Sequence, residues 1–308
     1  MDNLLSLSAS PHIHSGRSTS AIMRDVLIAL LPTTVAGTII FGLRSLLVVA
    51  VCVISCVLLE ALYNLITKKD QTIGDLSAAV TGLLLALNLP ANVPIWQCVV
   101  GCVFAIILVK CLFGGIGRNL VNPAITARVF MLVSFSSLAK AAFPANVDAV
   151  SSATPLMQIE QGTIPSLLDL FLGKNGGAIG EVSAAALLVG FIYLLCRRVI
   201  TWHIPVFFIG SVFLLSFALE GSATTALALI LSGGLFIGAI FMATDYVTSP
   251  PTPLGKIVFG LGAGLLTFLI RHFGAYPEGV SFAILFMNIL TPYIEKLGAF
   301  KVFGGRKA

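Results

Sequence analysis

Ten stretches of this chain are dominated by apolar residues, and short segments rich in Gly, Pro, Asn and charged residues separate them. Each stretch is about 17 to 23 residues long, enough for an α-helix to cross a hydrocarbon core about 30 Å thick. We therefore predict an all-α polytopic membrane protein with about ten transmembrane helices. The predicted helices are 21–43, 46–66, 72–89, 94–113, 123–139, 181–200, 203–219, 223–243, 254–271 and 278–297.

Ten helices divide into two groups of five, and an odd number per half means that any repeat would be inverted in the membrane. The third and eighth stretches are candidates for equivalent positions, because both end in polar residues and prolines. Two helices that are not related by a repeat but merely end at prolines would show the same sequence pattern. The predicted order is an N-terminal segment 1–20, a first five-helix half 21–139, a loop 140–180, a second five-helix half 181–297 and a tail 298–308.

Composition and charge support this topology. Hydrophobic residues make up 57% of the chain and charged residues 10%, whereas soluble domains carry about 25% charged residues. If both termini are cytoplasmic, thirteen Lys and Arg residues lie on that side and four on the other, as the positive-inside rule requires. The loop 140–180 is then extracytoplasmic. The net charge of +5 thus reports topology, and no nucleic-acid partner is expected.

A few ionisable residues lie within or next to the apolar stretches. A charge at the bilayer centre costs about 2.5 kcal/mol or more, so a deep one normally faces a polar path. By position, Arg128 is expected to be deep, and Glu60 is expected to be either deep or at the inner interface near Lys68 and Lys69. The full set is Asp25, Glu60, Asp75, Lys110, Arg128, Glu181 and Asp245.

Two cysteine pairs, Cys52/Cys56 and Cys98/Cys102, stand four residues apart and so on one helix face each. Such pairs can ligate a metal or cluster, but small apolar side chains that allow close helix packing are the favoured interpretation. The four histidines show no ligand spacing, and no metal site is predicted.

Two polar segments are predicted to face the cytoplasm together: Gly114–Ala124, which contains Asn119 and Asn122, and Asp245–Pro253, which contains Thr248. Gly, Asn and Pro at membrane depth allow the backbone to break and expose groups that protein, ligand or ion must satisfy. The two segments are therefore expected either to frame one site or to be two tight turns.

The extracytoplasmic loop contains the string Asp148-Ala-Val-Ser151-Ser152-Ala153-Thr154. On local chemistry alone, such a Ser/Ala/Thr run is usually a solvated loop. A Thr hydroxyl is a poor nucleophile, so joining it to a phosphate would need an enzyme that recognises the surrounding residues.

The chain resembles the D subunit of the Rnf electron-transport complex and, more distantly, the B subunit of the sodium-pumping NADH:quinone oxidoreductase, the NqrB/RnfD family. Three motifs carry the resemblance over nearly the whole chain: Gly117–Ala124, Asp148–Thr154, and Asp245–Thr252 followed by Gly255.

The resemblance implies that an extracytoplasmic flavin transferase attaches FMN to Thr154 through the FMN phosphate. The family motif maps onto Asp148, Ser151, Ser152 and Ala153, and Ser152 stands where the family favours Gly. It also implies a second, non-covalent, riboflavin-like flavin. We expect that flavin near Asn119, Asn122, Asp245 and Thr248.

The function that the resemblance implies is that of a subunit of an ion-translocating ferredoxin:NAD oxidoreductase in the bacterial inner membrane. Na⁺ or H⁺ would be the coupling ion, other Rnf subunits would be the partners, and ferredoxin and NAD would bind elsewhere. The chain has no Gly-x-Gly-x-x-Gly motif after a strand, so alone it would catalyse no complete reaction. The alternatives are a secondary transporter with inverted repeats and a non-catalytic scaffold for redox partners.

Overall fold

The computed structural model describes residues 18–135, 138, 154–173, 175–274 and 279–297. Over these residues the protein is all-α, as predicted. Asp148, Ser151, Ser152, Ala153 and both chain ends lie outside the described residues. The helices are α1 (Thr19–Phe41), α2 (Leu43–Ile66), α3 (Ser77–Leu87), α4 (Ile95–Val103), α5 (Pro123–Ser134), α6 (Pro155–Glu160), α7 (Leu167–Leu172), α8 (Ala184–Cys196), α9 (His203–Glu220), α10 (Ala223–Leu231), α11 (Leu235–Ile237), α12 (Pro253–Phe273) and α13 (Val280–Leu297).

Two helices continue as π-helices. Helix α4 extends through Phe104–Cys111, and α11 extends through Gly238–Met242. A π-helix makes wider turns than an α-helix and is rare outside functional sites. Each of these two segments ends beside the polar cavity described below.

Polar caps and prolines define where several helices begin. The side chains of Ser18, Asn122 and Thr252 accept hydrogen bonds from backbone N–H groups in the first turns of α1, α5 and α12. Helices α5 and α12 also begin with a proline, whose missing N–H is one that a helix start leaves unpaired anyway. The sequence encodes these starts directly.

All ten predicted stretches fall on helices, which confirms a polytopic membrane protein, but several are shorter than expected. Helices α1, α2, α9 and α12 are long and apolar enough to cross a membrane, and the bent pair formed by α10 and the 235–242 helix could make a fifth span. The third stretch, predicted as 72–89, is helical only over Ser77–Leu87, and the fifth, predicted as 123–139, ends at Ser134.

The eighth stretch, predicted as one helix over 223–243, is broken and bent by 66°. Gly233 at the break has a φ of +68°, which a side-chain-bearing residue rarely adopts. Arg271 stabilises the break by donating hydrogen bonds to the carbonyl oxygens of Leu229 (2.8 Å) and Ser232 (3.1 Å). Non-helical backbone at membrane depth requires such protein partners.

The two halves pack through corresponding helices. The first helices, α1 and α8, contact each other, and so do the fifth helices, α5 and α13. The contact of α1 with α8 needs Gly190, because a Cβ there would collide with the Ala29 carbonyl oxygen. A two-fold axis between the halves would produce these pairings; the inverted repeat stays a prediction.

Candidate functional site

A polar cavity lies where the first turns of α3 and α5 meet the segments 116–122 and 244–247. Its walls are mostly apolar and its volume is about 90 Å³. Asn119, Asn122 and Asp245, three of the residues predicted for the second flavin, line it together. The other lining residues are Met23, Val26, Ser77, Val80, Thr81, Leu84, Lys110, Ile116, Pro123, Ala124, Leu194, Val199, Ile200, Phe241, Thr244, Tyr246 and Val247.

Asn122 joins the two polar segments. Its side-chain oxygen caps α5 by accepting from the N–H groups of Ala124 (3.0 Å) and Ile125 (3.3 Å). Its amide nitrogen donates to the Met242 carbonyl (3.4 Å) and lies 3.5 Å from the Asp245 carboxylate. The segments 114–124 and 245–253 therefore frame one site and are not merely separate turns.

Asp245 supplies the carboxylate of the cavity. It accepts a hydrogen bond from the Thr248 hydroxyl at 3.2 Å and a longer one from the Val247 N–H at 3.5 Å. Burial of the carboxyl raises the pKa of Asp245, and these two hydrogen bonds oppose the shift only in part. Thr248 is buried behind Asp245 and does not line the cavity, so its position suits holding Asp245 rather than touching a ligand.

A lysine that was not assigned to the site from the sequence also lines the cavity. Lys110, at the end of the first π-helix, is ion-paired with Glu60 (2.9 Å) and donates to the Ser77 hydroxyl (2.6 Å). Glu60 also accepts from Thr72 at 2.8 Å. The sequence signal was present, since Lys110 is a charge within an apolar stretch, but only the fold shows that it reaches the cavity.

Glu60 and Arg128, the charges expected to be deep in the membrane, are both buried within the protein, and so are Asp25, Lys110 and Glu181. The buried charges pair with opposite charges. Arg128 on α5 lies 3.5 Å from the Glu181 carboxylate, with both side chains almost fully buried. Buried charges require partners of this kind, so the pairs explain how the chain tolerates them.

Thr154 is the only predicted flavinylation-motif residue that lies within the described residues. It caps the short helix α6, and its hydroxyl oxygen accepts from the Met157 N–H at 3.4 Å. Leu156 and Arg271 both lie against Gly233 at the break of the eighth stretch. Thr154 is thus close to the far end of α12, away from the cavity.

Three short helices line the cavity: α3 along most of its length, α5 at its first residues and the 235–242 helix at its last turn. The C-terminal end of α3 receives hydrogen bonds from Ile179 and Gly180 of the loop that follows Thr154. Helices of 8 to 12 residues are about 12 to 18 Å long. Each is therefore about half as long as a bilayer core is thick.

The cysteine pairs pack between α2 and α4. All four thiols are buried, and the Cys102 thiol lies 3.6 Å from the Cys52 carbonyl oxygen. A Cβ on Gly82 of α3 would clash with that carbonyl, so the helices meet here through small residues. Within the described ranges, no group of three or more His, Cys, Asp or Glu side chains could hold a metal ion.

Long apolar helices, shorter helices packed between them and a cavity with polar groups where the segments 116–122 and 244–247 meet define a polytopic membrane protein with an internal polar site. A family model described as the NQR2, RnfD, RnfE family matches residues 6–304. The chain belongs to this family, which confirms the resemblance drawn from the three motifs.

Named relatives cover almost the whole chain. The chain is 47% identical to the D subunit of the Na⁺-translocating ferredoxin:NAD⁺ oxidoreductase complex of Acetobacterium woodii, over 98% of this chain and 96% of the relative. It is 40% identical to the D subunit of the proton-translocating ferredoxin:NAD⁺ oxidoreductase complex of Clostridium ljungdahlii, over 99% and 98%. It is 34% identical to the D subunit of the ion-translocating oxidoreductase complex of Aliivibrio salmonicida, over 98% and 99%.

Proposed function

We propose that this protein is the D subunit of a membrane-bound, ion-translocating ferredoxin:NAD oxidoreductase complex and relays electrons through FMN on Thr154. The full-length similarity to subunits so named supports the assignment. The observation that carries the proposal for this chain is structural. Thr154 caps α6, whose Leu156 lies against Gly233 just before the 235–242 helix, and that helix reaches the polar cavity at its other end. Redox groups near the two ends of this helix would then be separated by only part of the membrane.

The surroundings of Thr154 fit a phosphate-linked cofactor. The residue is partly exposed, and its hydroxyl oxygen makes only a long hydrogen bond as an acceptor. If this oxygen were esterified to a phosphate, no buried N–H or O–H group would lose its hydrogen-bond partner. When bound, FMN would supply the ability to take up and release electrons singly or in pairs. Thr154 would hold the flavin without using its redox-active ring.

The test is in-gel flavin fluorescence of the denatured full-length chain, expressed with and without a flavin transferase. Wild type made with the transferase should fluoresce, and Thr154→Ala should be dark. Thr163→Ala, a threonine change in the same loop, should fluoresce like wild type. A dark wild type would contradict the proposal and favour a transporter without flavin. Full electron transfer by Thr154→Ala in the assembled complex would favour the scaffold alternative.

We also propose that the polar cavity takes the second, riboflavin-like flavin. Amide and carboxylate groups on apolar walls suit a ring with hydrogen-bonding edges. The cavity volume of about 90 Å³ is well below the roughly 300 Å³ or more of ordinary ligand pockets. A three-ring flavin would therefore have to displace the segment 114–121, whose Gly114, Gly115 and Gly117 have positive φ values.

The cavity proposal is tested by measuring flavin released from the purified, denatured protein, in a background of Thr154→Ala that removes covalent flavin. Asn119→Ala and Asp245→Asn should each lower the released flavin. Asn92→Ala, on the loop at the other end of α3, should leave it unchanged. Wild-type flavin content in both cavity variants would overturn this site and leave the Thr154 proposal standing.

Cation movement is the remaining part of the proposed function. Reduction of a flavin in a low-dielectric site adds negative charge, which uptake of a cation nearby would offset. Na⁺ and H⁺ are both consistent with the residues that line the cavity. Ferredoxin, NAD, the transferase and the other subunits would act from outside this chain.

The proposed location is the bacterial cytoplasmic membrane with both termini inside and the Thr154 loop outside. The distribution of Lys and Arg supports this orientation. A C-terminal green fluorescent protein fusion should fluoresce, whereas a C-terminal alkaline phosphatase fusion should be inactive. The opposite pair of results would invert the topology.

A further inference from the structure

Two buried polar side chains of α13 lie behind the polar cavity. Asn288 and Thr291 stand about one turn apart and are almost fully buried, whereas Phe286 and Ile289 on the other face of the helix are exposed. Neither Asn288 nor Thr291 lines the cavity. A buried amide in an apolar helix costs free energy unless it is hydrogen-bonded. The partners of Asn288 therefore indicate what it does.

Asn288 contacts the backbone of both polar segments. With its amide oriented so that each end has a partner, its nitrogen donates to the Thr248 carbonyl at 3.2 Å and its oxygen accepts from the Asn122 N–H at 3.2 Å. The Thr291 hydroxyl lies 2.9 Å from the same Thr248 carbonyl oxygen. Helix α13 thus holds the segment 114–124 at Asn122 and the segment 245–253 at Thr248.

The two backbone groups that Asn288 holds belong to residues that place the cavity's amide and carboxylate. Thr248 donates its hydroxyl to the Asp245 carboxylate at 3.2 Å. The Asn122 side chain reaches the second segment only through contacts of 3.4 and 3.5 Å. Hydrogen bonds weaken with length, so the two 3.2 Å bonds of Asn288 form the firmer link between the segments.

We propose that Asn288 is a positioning residue of the polar cavity, which sets the separation of the Asn122 amide and the Asp245 carboxylate from behind. It acts through the Asn122 N–H and the Thr248 carbonyl and does not touch the bound group. Among the described residues, α13 contributes none to the cavity lining, so a helix outside the cavity controls its geometry. The inference rests on the proposed riboflavin-like flavin only where riboflavin binding is the readout.

The first variant is Asn288→Leu, which keeps the branched shape of the side chain but removes both hydrogen bonds. In the full-length chain that carries Thr154→Ala, affinity for added riboflavin should fall about tenfold, the factor that corresponds to one lost hydrogen bond. Thr248 would also hold Asp245 less firmly. The pKa of Asp245 should then rise further, because a hydrogen bond to a carboxylate lowers its pKa.

Two titrations in detergent measure these effects. Flavin fluorescence follows the binding of riboflavin. Infrared spectroscopy of the flavin-free protein follows protonation of the Asp245 carboxyl, and Asp245→Asn identifies its band. The infrared titration needs no flavin, so it tests the position of Asp245 separately from the proposed ligand.

The second variant, Asn288→Asp, provides a rescue that packing alone would not give. A protonated carboxyl has one donor and one acceptor, as the amide does, and can bind both the Thr248 carbonyl and the Asn122 N–H. An ionised carboxylate has no donor for Thr248. Riboflavin affinity relative to wild type at the same pH should therefore match at low pH and fall as the pH rises. This variant also serves if Asn288→Leu does not fold.

The control is Ser281→Ala, which removes a buried hydroxyl two turns earlier in α13 and should behave like wild type in both titrations. The ionisable groups of the cavity and of α5 are unchanged in Asn288→Leu, Asn288→Asp and this control: Asp245, Lys110 and Arg128.

Wild-type riboflavin affinity together with a wild-type Asp245 titration in folded Asn288→Leu would overturn the positioning role. Weak binding by Asn288→Asp at every pH would do the same. A wild type that binds no riboflavin would instead contradict the cavity flavin, and the infrared titration alone would then decide the role of Asn288.

Discussion

Individual residues in this protein combine helix capping with a second role. Asn122 begins α5 and also contacts the Asp245 carboxylate, so one side chain holds both polar segments. Thr154 likewise caps α6 and is the proposed flavin acceptor. Capping preferences are visible in a sequence, but the second contact of each residue is not. A cap and a ligand-binding group therefore look identical until the fold is known.

Asp245 should make stability depend on pH. Its pKa is raised by burial, so the folded state binds the proton more tightly than the unfolded state. The carboxyl therefore favours folding most below the ordinary pKa of 3.8, and this contribution is lost as the pH rises through the raised value. We expect Asp245→Asn to raise the unfolding temperature in detergent at neutral pH and to lose that advantage as the pH falls.

The control for this prediction is Glu220→Gln, a change at an exposed carboxyl, which should leave the pH profile as in wild type. Lys110, which lines the same cavity, is unchanged in wild type and in both variants. A constant difference between Asp245→Asn and wild type at every pH would show that Asp245 is not the titrating group.

At the scale of helices, the apolar stretches of the sequence predicted the positions of the helices better than their lengths. The stretch 223–243 has the apolar content of one span, yet Gly233 and the contacts of Arg271 break it. The stretch 123–139 begins at the predicted proline but ends at Ser134. Apolarity reports burial in lipid or protein alike, so it cannot distinguish a full span from a short helix that other helices surround.

The close packing of α1 against α8 can be tested by comparing the same substitution at two glycines. Gly190→Ala should destabilise the protein by about 1 to 3 kcal/mol, because the added methyl collides with the Ala29 carbonyl and overpacks the α1–α8 contact. The Cβ added by Gly210→Ala would stand in open space. This variant should be stabilised by about 1 kcal/mol, because Ala has a higher helix propensity than Gly. Thermal unfolding of both variants in detergent measures the difference. Equal unfolding temperatures would argue against the close contact of α1 with α8.

Across the whole molecule, the loop after Thr154 is tied into both halves. Ile179 and Gly180 donate to the carbonyls of Leu89 and Leu87 at the end of α3. The Glu181 carboxylate lies beside Gly234 at the helix break and pairs with Arg128 of α5. This part of the loop thus contacts the end of α3, the start of the 235–242 helix and, through Arg128, the middle of α5. These contacts close the loop onto the three short helices.

The Arg128–Glu181 pair should be the most sensitive point of that closure. Removing one partner takes the ion pair away from the other buried charge, so Arg128→Met or Glu181→Gln should cost about 3 to 5 kcal/mol. The double variant should lose less than the two single losses combined, because the same ion pair is removed only once. A double-mutant cycle by thermal unfolding measures this coupling. Arg197→Gln, which breaks an ion pair at an exposed arginine, should have little effect, and additive losses for Arg128 and Glu181 would contradict the pairing.

The sequence by itself determined the membrane character, the starts of the capped helices, the family and the residues that carry the proposed chemistry. These depend on composition, caps and motifs, which are local properties of the chain. Only the tertiary structure decided that Asn119, Asn122 and Asp245 share one cavity with Lys110, and that three of the helices that line this cavity are about half a bilayer long. Such features arise from contacts between residues far apart in the chain, and no local pattern encodes which distant partners will meet.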